Sequence, residues 1–450
     1  MDSLLSENQV VRLADGRSVT VTGVLGEGGQ GVAYEVRVNE TGEVKVLKWY
    51  KTRYLGEESS RFYHNIEENI RFRSPSPEFI WPEALTEWRE GGSFGYLMEK
   101  YPRGYYDFSL YMTGVVNFES VEAMLNAAIN IVSPFEKLHV EGCSYQDLND
   151  SNFALEPSSG KVLICDNDNV VGQGQISGIL GKMGYMAPEL VRREPTYRNN
   201  SIPDKWTDRF SLAVILFILL VGDHPLEGKA SVKSTVYDSF GVNPLFIFDK
   251  EDDRNRPVPG VHINATNMWN VFPTFVKNAF CKTFSKNSLT KNEYRRHRLD
   301  ELEWLDILSW LKSSLFKCPM CDEILFVDSN TDSPDCTYHC YKCNASGRSR
   351  FYLRFIGRAS TVINIPGFPG ITVYSSVLWG NSVDINDKLI KIIHDNESIK
   401  LVNESRNSWN VVRADGRSVT IRPGEASYVY SGACIRFGGR RGDVAQIVRV

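Results

Sequence analysis

The chain has 450 residues, of which 42% are hydrophobic and 24% are charged, a composition typical of a globular protein with more than one domain. Its 51 basic and 55 acidic residues give a net charge of −4, which argues against nucleic acid or an acidic membrane as a partner. No signal peptide is visible, and the longest apolar run, residues 210–221, is too short to span a bilayer and indicates a buried helix. Five of the nine cysteines lie within residues 318–343, so we expect a metal site in a reducing cytoplasm.

Short apolar stretches separated by glycine predict mainly strands up to about residue 100, with one helix near Phe62–Phe72. The first hairpin contains Gly26-Glu-Gly28-Gly-Gln-Gly31, which matches the pattern GxGxxG. Dinucleotide-binding folds share this spacing but need a helix directly after it, whereas here a strand, a turn and a second strand ending in Lys48 follow. Small residues would let backbone N–H groups approach phosphates, and the lysine would add positive charge. The stretch therefore predicts a nucleotide-phosphate site.

A lysine in this position needs a carboxylate partner, which we expect from the helix that packs on the sheet. The helical segment FYHNIEENIRF offers Glu67 and Glu68. We favour Glu67, because Ile66 and Ile70 bracket it at helical spacing. For either residue the alternative is a solvated helix face.

Residues 142–153, GCSYQDLNDSNF, hold an aspartate and an asparagine five positions apart, Asp147 and Asn152. In phosphoryl transfer such an aspartate orients an incoming hydroxyl and accepts its proton, and the asparagine amide oxygen binds magnesium. The apolar strand KVLIC then ends at Asp166, where a metal-binding carboxylate is expected. Asp168 is either an auxiliary ligand or a solvated residue.

The ordered set of motifs continues through the middle of the chain. After Asp166 come the segment Gly184-Tyr-Met-Ala-Pro-Glu189 and then Asp208, near the start of the apolar helix. Residues 10–315 therefore resemble a eukaryotic-type (Hanks-type) serine/threonine protein kinase. The segments FIWPEAL, FGYLMEKYP, SYQDLNDSNF and CDNDNV resemble one bacterial group. Genes of that group accompany genes for a PP2C-type phosphatase and a von Willebrand A-domain protein, in clusters related to tellurite resistance.

This resemblance implies an α+β, two-lobed protein kinase fold, with an N-lobe at residues 1–100 and a C-lobe at residues 101–315. It implies ATP and Mg²⁺ as cofactors, protein substrates and a cytoplasmic location, with the phosphatase and the von Willebrand A-domain protein as possible partners. We expect neither nucleic acid nor a membrane. The residues implied to contact nucleotide or magnesium are Gly26, Gly28, Gly31, Lys48, Glu99, Asn152 and Asp166.

Two departures from the kinase pattern concern regulation and the metal-binding segment. Gln146 replaces an arginine that in many kinases grips a phosphorylated activation loop, and residues 169–180 contain only Ser177 as a modifiable hydroxyl. We therefore expect no activation-loop switch. Asp-Asn-Asp at 166–168 removes a core phenylalanine, for which Tyr145 is expected to compensate.

A third departure concerns the charge on the transferring phosphate. Asn149 stands where kinases carry a lysine that stabilises this charge. Lys182 stands where they usually carry a threonine that contacts that lysine. We hypothesise a positional exchange in which Lys182 supplies the missing charge, the alternative being a surface lysine. We interpret the loop as catalytically active; the alternative is a nucleotide-binding pseudokinase scaffold.

Residues 316–349 predict a zinc ribbon. Two CxxC pairs are separated by eighteen residues, a spacing typical of four thiolates on one structural zinc ion. The predicted ligands are Cys318, Cys321, Cys340 and Cys343, with Cys336 and His339 as possible substitutes. A complete four-cysteine set leaves no open coordination position, which argues against catalytic zinc.

Residues 350–450 contain about eight short predicted strands and are expected to form an all-β sandwich. The segment around Ser405, Asn407 and Trp409 resembles the later half of a forkhead-associated domain, a family that reads phosphothreonine. The upstream Ser-Arg-x-His element of that family has no counterpart, and Arg358 falls too early to be its phosphate-binding arginine. An interaction or docking module is favoured, and phosphopeptide binding is the other reading.

Overall fold

The structure is a computed structural model, and the described part of the chain has several gaps. The described residues are 4–51, 59–89, 91–176, 181–192, 202–328, 336–379, 384–395, 398–438 and 444–450. Two compact units are present: Met1–Glu119 with Pro134–Ile215, and Ser120–Ser133 with Leu216–Val450. Two of the three limits between the units, 133/134 and 215/216, fall inside helices, so each of these two helices contributes residues to both units.

The first unit is built on a six-stranded antiparallel sheet with the order β1-β2-β3-β4-β6-β5. Its strands are β1 (Val10–Arg12), β2 (Ser18–Glu27), β3 (Gly31–Val38), β4 (Val44–Tyr50), β5 (Pro82–Leu85) and β6 (Gly95–Met98). β-Branched residues such as Val19 and Val36 are fully buried on one face and form the core of this sheet. The predicted glycine hairpin between β2 and β3 is confirmed, and Lys48 lies in β4.

Helix α1 (Ser59–Phe72) confirms the predicted helix and packs on the same sheet. Its buried residues are Phe62, Ile66 and Asn69. The Phe62 ring meets the Tyr50 ring of β4 edge-on, with ring centroids 4.9 Å apart. A polar residue on the buried face of an otherwise amphipathic helix needs a hydrogen-bond partner, and Asn69 finds one in the site described below.

The rest of the first unit consists of short strand pairs and helices. These are β7 (Tyr106–Asp107), β8 (Cys143–Ser144), β9 (Phe153–Leu155), β10 (Val162–Ile164), β11 (Val171–Gly172), α2 (Phe108–Met112), α3 (Val121–Val140), α4 (Pro188–Val191) and α5 (Lys205–Val221). Strand β8 pairs with β11, and β9 pairs with β7 and β10. The predicted catalytic loop runs from β8 to β9, so these pairings hold it beside the segment that follows β10.

The second unit begins with helices. They are α6 (Ile263–Val271), α7 (Thr274–Thr283), α8 (Lys286–Thr290) and α9 (Glu301–Lys312). Helix α9 is buried on nearly all sides; the Trp310 ring stacks on Phe275 at 3.8 Å between centroids, and its indole N–H donates to the Asn364 carbonyl oxygen at 3.0 Å. Helix α9 therefore shares a buried core with the sheets that follow it. Among the described helices, none is both long enough and apolar enough to cross a membrane.

The sheets of the second unit are all antiparallel. Two hairpins pair β12 (Leu315–Lys317) with β13 (Ile324–Phe326) and β14 (Thr337–His339) with β15 (Ser346–Arg348). A six-stranded sheet has the order β17-β16-β25-β24-β21-β22, and a four-stranded sheet has the order β18-β19-β20-β23. Their elements are β16 (Phe351–Ile356), β17 (Val362–Pro366), β18 (Thr372–Tyr374), α10 (Ser376–Trp379), β19 (Lys388–Asp395), β20 (Ser398–Asn403), β21 (Trp409–Val412), β22 (Ser418–Ile421), β23 (Ala426–Tyr428), β24 (Cys434–Arg436) and β25 (Val444–Arg449). The region thus holds more strands than the eight predicted.

Candidate active site

The glycine motif forms the tip of the β2–β3 hairpin. The Gly28 amide donates to the Gly31 carbonyl oxygen at 2.9 Å and closes the turn. A side chain at Gly31 would collide with the carbonyl oxygen of Trp49 in the paired strand, so this position requires glycine. Gly26 and Gly28 face open space, which leaves room for a ligand close to the backbone.

Lys51 tethers this hairpin tip, a contact that the sequence did not predict. Its ammonium group donates to the Gly28 carbonyl oxygen at 2.9 Å and pairs with the Glu27 carboxylate at 2.6 Å. The Lys51 side chain is only 4% exposed, whereas its partner Glu27 is 58% exposed, so the lysine is shielded from water on one side of the contact. The flap is therefore fastened to the end of β4, the strand that carries Lys48.

Lys48 lies between two carboxylates from the segment after β10. Its Nζ atom is 2.8 Å from Asp166 Oδ1 and 3.0 Å from Asp168 Oδ2. Burial alone would lower the pKa of Lys48, but the charges of Asp166 and Asp168 outweigh it and hold the pKa well above its ordinary value. The lysine is thus a permanent cation at the predicted phosphate site.

Glu67, the predicted partner of Lys48, is not beside it. Its carboxylate pairs instead with Arg71 at 3.0 Å, one turn along the same helix, and Glu68 is exposed. The physical reason is the helix period: neighbouring side chains point about 100° apart, so burial of Ile66 turns Glu67 towards solvent. Bracketing by the buried Ile66 and the partly buried Ile70 is thus evidence against an inward-facing side chain, and the sequence expectation for Glu67 is corrected.

Asp147 lies at the centre of the predicted catalytic loop. Its Oδ1 atom accepts from the Lys182 backbone N–H and from the Asn149 side-chain amide, each at 3.2 Å. Burial raises the pKa of Asp147 to about 6, the backbone hydrogen bond from Lys182 opposes this, and the charge of Asp166 adds to it. A carboxylate with a raised pKa is a better proton acceptor near neutral pH than an ordinary aspartate.

The loop is anchored by Asp208 at the start of helix α5. The backbone N–H groups of Tyr145 and Gln146 donate to its two carboxylate oxygens at 2.7 and 3.2 Å. His139 Nε2 lies 3.1 Å from the same carboxylate. Gln146 has a φ of 68°, an uncommon conformation for a residue with a side chain, and these bonds hold it there.

Asn152 is placed by a capping box within the loop. The Asn149 backbone N–H donates to Asn152 Oδ1 at 2.7 Å, and Asn149 Oδ1 accepts from the Ser151 N–H at 3.0 Å. The Cys165 N–H donates to the Asn152 carbonyl oxygen at 2.8 Å, which joins this turn to the residue before Asp166. Asn149, which replaces a lysine in the kinase pattern, therefore has a structural function here.

The Asp-Asn-Asp segment at 166–168 makes polar contacts where the kinase pattern has a buried phenylalanine. Asn167 is fully buried, and its side-chain amide donates to the carbonyl oxygens of Ile80 and Ile164 at 2.7 and 2.9 Å. Tyr145, expected to compensate for the missing phenylalanine, is also fully buried and donates its hydroxyl to the Cys165 carbonyl oxygen. The segment is thus fixed by hydrogen bonds on both sides.

Lys182 lies next to the catalytic loop. Its ammonium group pairs with Asp150, a residue that the sequence analysis did not single out, and lies 5.1 Å from the Tyr185 ring centroid. The side chain is 49% exposed. Its backbone N–H donates to Asp147, so Lys182 lies beside the loop in which Asn149 replaces the kinase lysine.

Three other positions named from the sequence have local partners or fall outside the described residues. Glu99 pairs through its carboxylate with Lys45 and is 61% exposed. The Gln146 side-chain amide donates to the Gln175 carbonyl oxygen at 2.7 Å. Glutamine is neutral, so this residue cannot supply the positive charge of the arginine that it replaces. Ser177, on which the expectation about regulation depends, lies outside the described residues.

The four cysteines of the two CxxC pairs converge in the second unit. Their sulfur atoms all lie within 4.8 Å of one another; Cys318 and Cys343 are 3.7 Å apart, and Cys321 and Cys340 are 3.5 Å apart. Four thiolates about 2.3 Å from a tetrahedral zinc ion would lie about 3.8 Å apart, so the donor set fits zinc. His339 is exposed and is not part of this group.

Comparisons with known proteins point to one family. A protein kinase domain model matches residues 19–303. The serine/threonine-protein kinase AtPK1/AtPK6 of Arabidopsis thaliana is 25% identical over 209 residues, which is 46% of this chain and 42% of the relative. The ribosomal protein S6 kinase beta of Caenorhabditis elegans is 28% identical over 220 residues, or 46% of this chain and 36% of the relative. The chain thus spans less than half the length of these relatives.

Proposed function

The chain belongs to the protein kinase domain family, and we propose that it transfers the γ-phosphate of ATP to serine or threonine hydroxyls of protein substrates. The observation that carries this proposal is the arrangement in the first unit: Lys48 is bonded to Asp166, and Asp147 is close enough to Asp166 for their charges to interact. A cation for phosphate, a metal-binding carboxylate and a proton acceptor are thereby grouped at one place.

The residues present fit magnesium. Asp166 offers a carboxylate that is 40% exposed, and the Asn152 amide oxygen accepts one hydrogen bond and retains a second lone pair. Oxygen ligands of this kind are those that Mg²⁺ prefers. Magnesium held by Asn152 and Asp166 would neutralise charge that develops on the phosphates.

Asp147 is the proposed proton acceptor. Its two hydrogen-bond donors, the Lys182 N–H and the Asn149 amide, fix one carboxylate oxygen. The substrate hydroxyl oxygen forms a bond to the γ-phosphorus while the bond to the bridging oxygen of ADP breaks, and the hydroxyl proton passes to the Asp147 carboxylate. Lys48, in strand β4, would bind the nucleotide phosphates.

The pH dependence should report Asp147. The acceptor must be deprotonated, so we expect kcat/KM for ATP to fall about tenfold per pH unit below a pKa near 6, since this parameter reports the free enzyme. Asn149→Ala removes a hydrogen bond that lowers the pKa of Asp147, so its acidic limb should move to higher pH. Initial rates between pH 5 and 8 at saturating magnesium measure both. An acidic limb that Asn149→Ala leaves in place would argue against Asp147 as the titrating group.

We propose that Lys182 supplies charge to the transferring phosphate. Its place beside Asp147 and its half-exposed ammonium group support this. Lys182→Ala should lower kcat on the order of 10²-fold, as removal of one transition-state donor does in other enzymes, and should leave KM for ATP nearly unchanged. Lys205→Ala, another lysine next to an aromatic ring, is the matched control and should behave as the wild type. Equal losses in both variants would contradict the exchange.

We propose that the C-terminal part is a zinc ribbon followed by a forkhead-associated-like β-sandwich that docks partners. The converging cysteines and the two antiparallel sheets support it. In the resembling loop, Ser405 Oγ lies 2.7 Å from Asn403 Oδ1 and accepts from the Trp409 indole at 3.1 Å, so its hydroxyl is already used within the loop. This favours docking over phosphothreonine reading. A PP2C-type phosphatase and a von Willebrand A-domain protein are candidate partners, with the cytoplasm as the location.

Binding of a phosphothreonine peptide separates the two readings of the sandwich. We expect the full chain to bind a phosphorylated peptide no better than the same peptide without phosphate. The Ser405 hydroxyl is already hydrogen-bonded and the exposed Arg406 pairs with Asp387, so this loop offers a phosphate group little additional binding energy. Fluorescence anisotropy with both peptides measures this. A preference of about tenfold or more for the phosphorylated peptide, lost in Arg406→Ala, would instead assign phosphate recognition.

Transfer of labelled γ-phosphate to a generic acceptor protein tests the kinase function itself. The competing reading is a pseudokinase scaffold that holds nucleotide without transfer. Transfer that depends on Asp147 supports the kinase; nucleotide binding with no transfer above an Asp147→Asn variant would support the scaffold.

A further inference from the structure

We propose that Asp168 is the residue that positions Lys48, in place of a carboxylate on helix α1. In protein kinases a glutamate of that helix holds the strand lysine. Here the turn that follows the metal-binding Asp166 supplies the partner itself. This inference rests on the proposed kinase function and deepens it.

The Asp168 carboxylate is enclosed and fully used. Its side chain has no exposed surface. Lys48 Nζ lies 3.0 Å from one oxygen and 3.3 Å from the other, and the Tyr50 hydroxyl donates to the same group. A buried carboxylate is stable only when its partners compensate for lost water, and strand β4 provides both of them. Asp168 is therefore neither solvated nor free to act as an auxiliary metal ligand, the two roles that the sequence suggested.

Helix α1 holds the backbone of the turn that carries Asp168, and none of the described hydrogen bonds or ion pairs of Lys48 goes to this helix. The Asn65 side-chain amide donates to the carbonyl oxygens of Asp168 and Val170 at 2.9 and 3.1 Å. One turn later, the Asn69 side-chain amide donates to the Val170 carbonyl oxygen at 2.9 Å. These donors hold the backbone, so the helix fixes the position of the Asp168 side chain indirectly.

The two carboxylates around Lys48 differ in exposure, which separates their functions. Asp166 is 40% exposed and can face a metal ion, whereas Asp168 is closed off. When Asp166 serves magnesium, Asp168 stays as the partner that balances the lysine charge and sets its direction. Lysine position then depends on the Asp-Asn-Asp turn, and removal of the carboxylates of helix α1 should not affect it.

The test compares Asp168→Asn with Glu67→Gln and Glu68→Gln in the full chain. Asp168→Asn keeps the shape but removes the charge, and we expect kcat to fall about 30-fold or more, equivalent to about 2 kcal/mol, with KM for ATP within about threefold. Calorimetric titration with an ATP analogue should still give the wild-type stoichiometry, which shows that the loss is not a smaller folded fraction. Both glutamine variants should keep wild-type rates within about twofold.

A milder variant completes the design. Tyr50→Phe removes only the hydroxyl that donates to Asp168. It should lower kcat by less than Asp168→Asn does, again with little change in KM for ATP. This variant tests the proposal if Asp168→Asn does not fold. Wild-type kcat in Asp168→Asn, or a large loss in Glu67→Gln, overturns the proposal. Absence of transfer by the wild-type chain would instead refute the kinase function.

Discussion

Asp147→Asn should abolish phosphotransfer almost completely, with kcat reduced by about 10³-fold, within the range by which general-base groups contribute. Asparagine can keep the hydrogen bonds of the loop but cannot accept the hydroxyl proton. The Asn149 amide and the Lys182 N–H that now fix the carboxylate would still fix the amide oxygen, so the loop should keep its conformation. Nucleotide affinity should therefore change little.

Steady-state transfer of labelled phosphate and calorimetric titration with ATP measure the two quantities on the same preparation. Asp415→Asn, in an exposed turn of the second unit where the aspartate pairs with Arg417, is the matched control for the same chemical change. It should retain wild-type kcat. If Asp147→Asn kept more than about a tenth of the wild-type kcat, the proton acceptor would be another group and the loop would be supporting rather than catalytic.

Four of the residues predicted by spacing along the chain lie in the same part of the first unit, whereas Glu67 and Glu99 pair with Arg71 and Lys45 instead. Lys48 and Asp166 are bonded, and Asp147 and Asn152 share one short loop. The spacing predicts their proximity because each residue lies in or next to a short strand or a tight turn. In such segments the number of residues between two side chains largely determines the distance between them. The hairpin was predictable from its short apolar stretches broken by glycine, and the buried helix α5 from its long apolar run.

The partner of Lys48 was not predictable from spacing. Its choice depends on which face of helix α1 is buried and on which polar groups the Asp-Asn-Asp turn can satisfy, and both are settled by tertiary packing. One signal was available: Asn65 and Asn69 are four positions apart on either side of the buried Ile66. Two amides on the inner side of a helix indicate that buried backbone carbonyl groups need hydrogen-bond donors there, which was a reason to expect Glu67 to face outward.

The contact between Lys51 and the tip of the glycine hairpin was not predictable for a different reason. Lys51 follows β4 directly, and a lysine at the end of a strand is usually solvated. Its burial arises because the hairpin tip folds over it and offers a carbonyl oxygen and the Glu27 carboxylate. Contacts of this kind depend on the conformation of a turn, which neither composition nor periodicity encodes.

Zinc removal should have the largest effect on stability. The two hairpins between residues 315 and 348 are short, and a structural zinc ion supplies an apparent ~10–16 kcal/mol to small modules of this kind. The wild-type chain should carry one zinc ion, and Cys318→Ser with Cys340→Ser should carry none, because two of four thiolates are lost. We expect hydrogen exchange and proteolysis to rise in this segment, while the first unit keeps its protection.

The control variant uses Cys336, which the sequence offered as a possible substitute zinc ligand. Cys336 is buried but is not one of the four converging sulfur groups, so Cys336→Ser should keep full zinc content. Metal analysis of each purified variant measures the stoichiometry. Zinc release should also follow acidification, since thiolates must be deprotonated to bind. Full zinc content in the double variant, or loss of zinc from Cys336→Ser, would contradict the four-cysteine site. Either result would mean that other residues bind the metal.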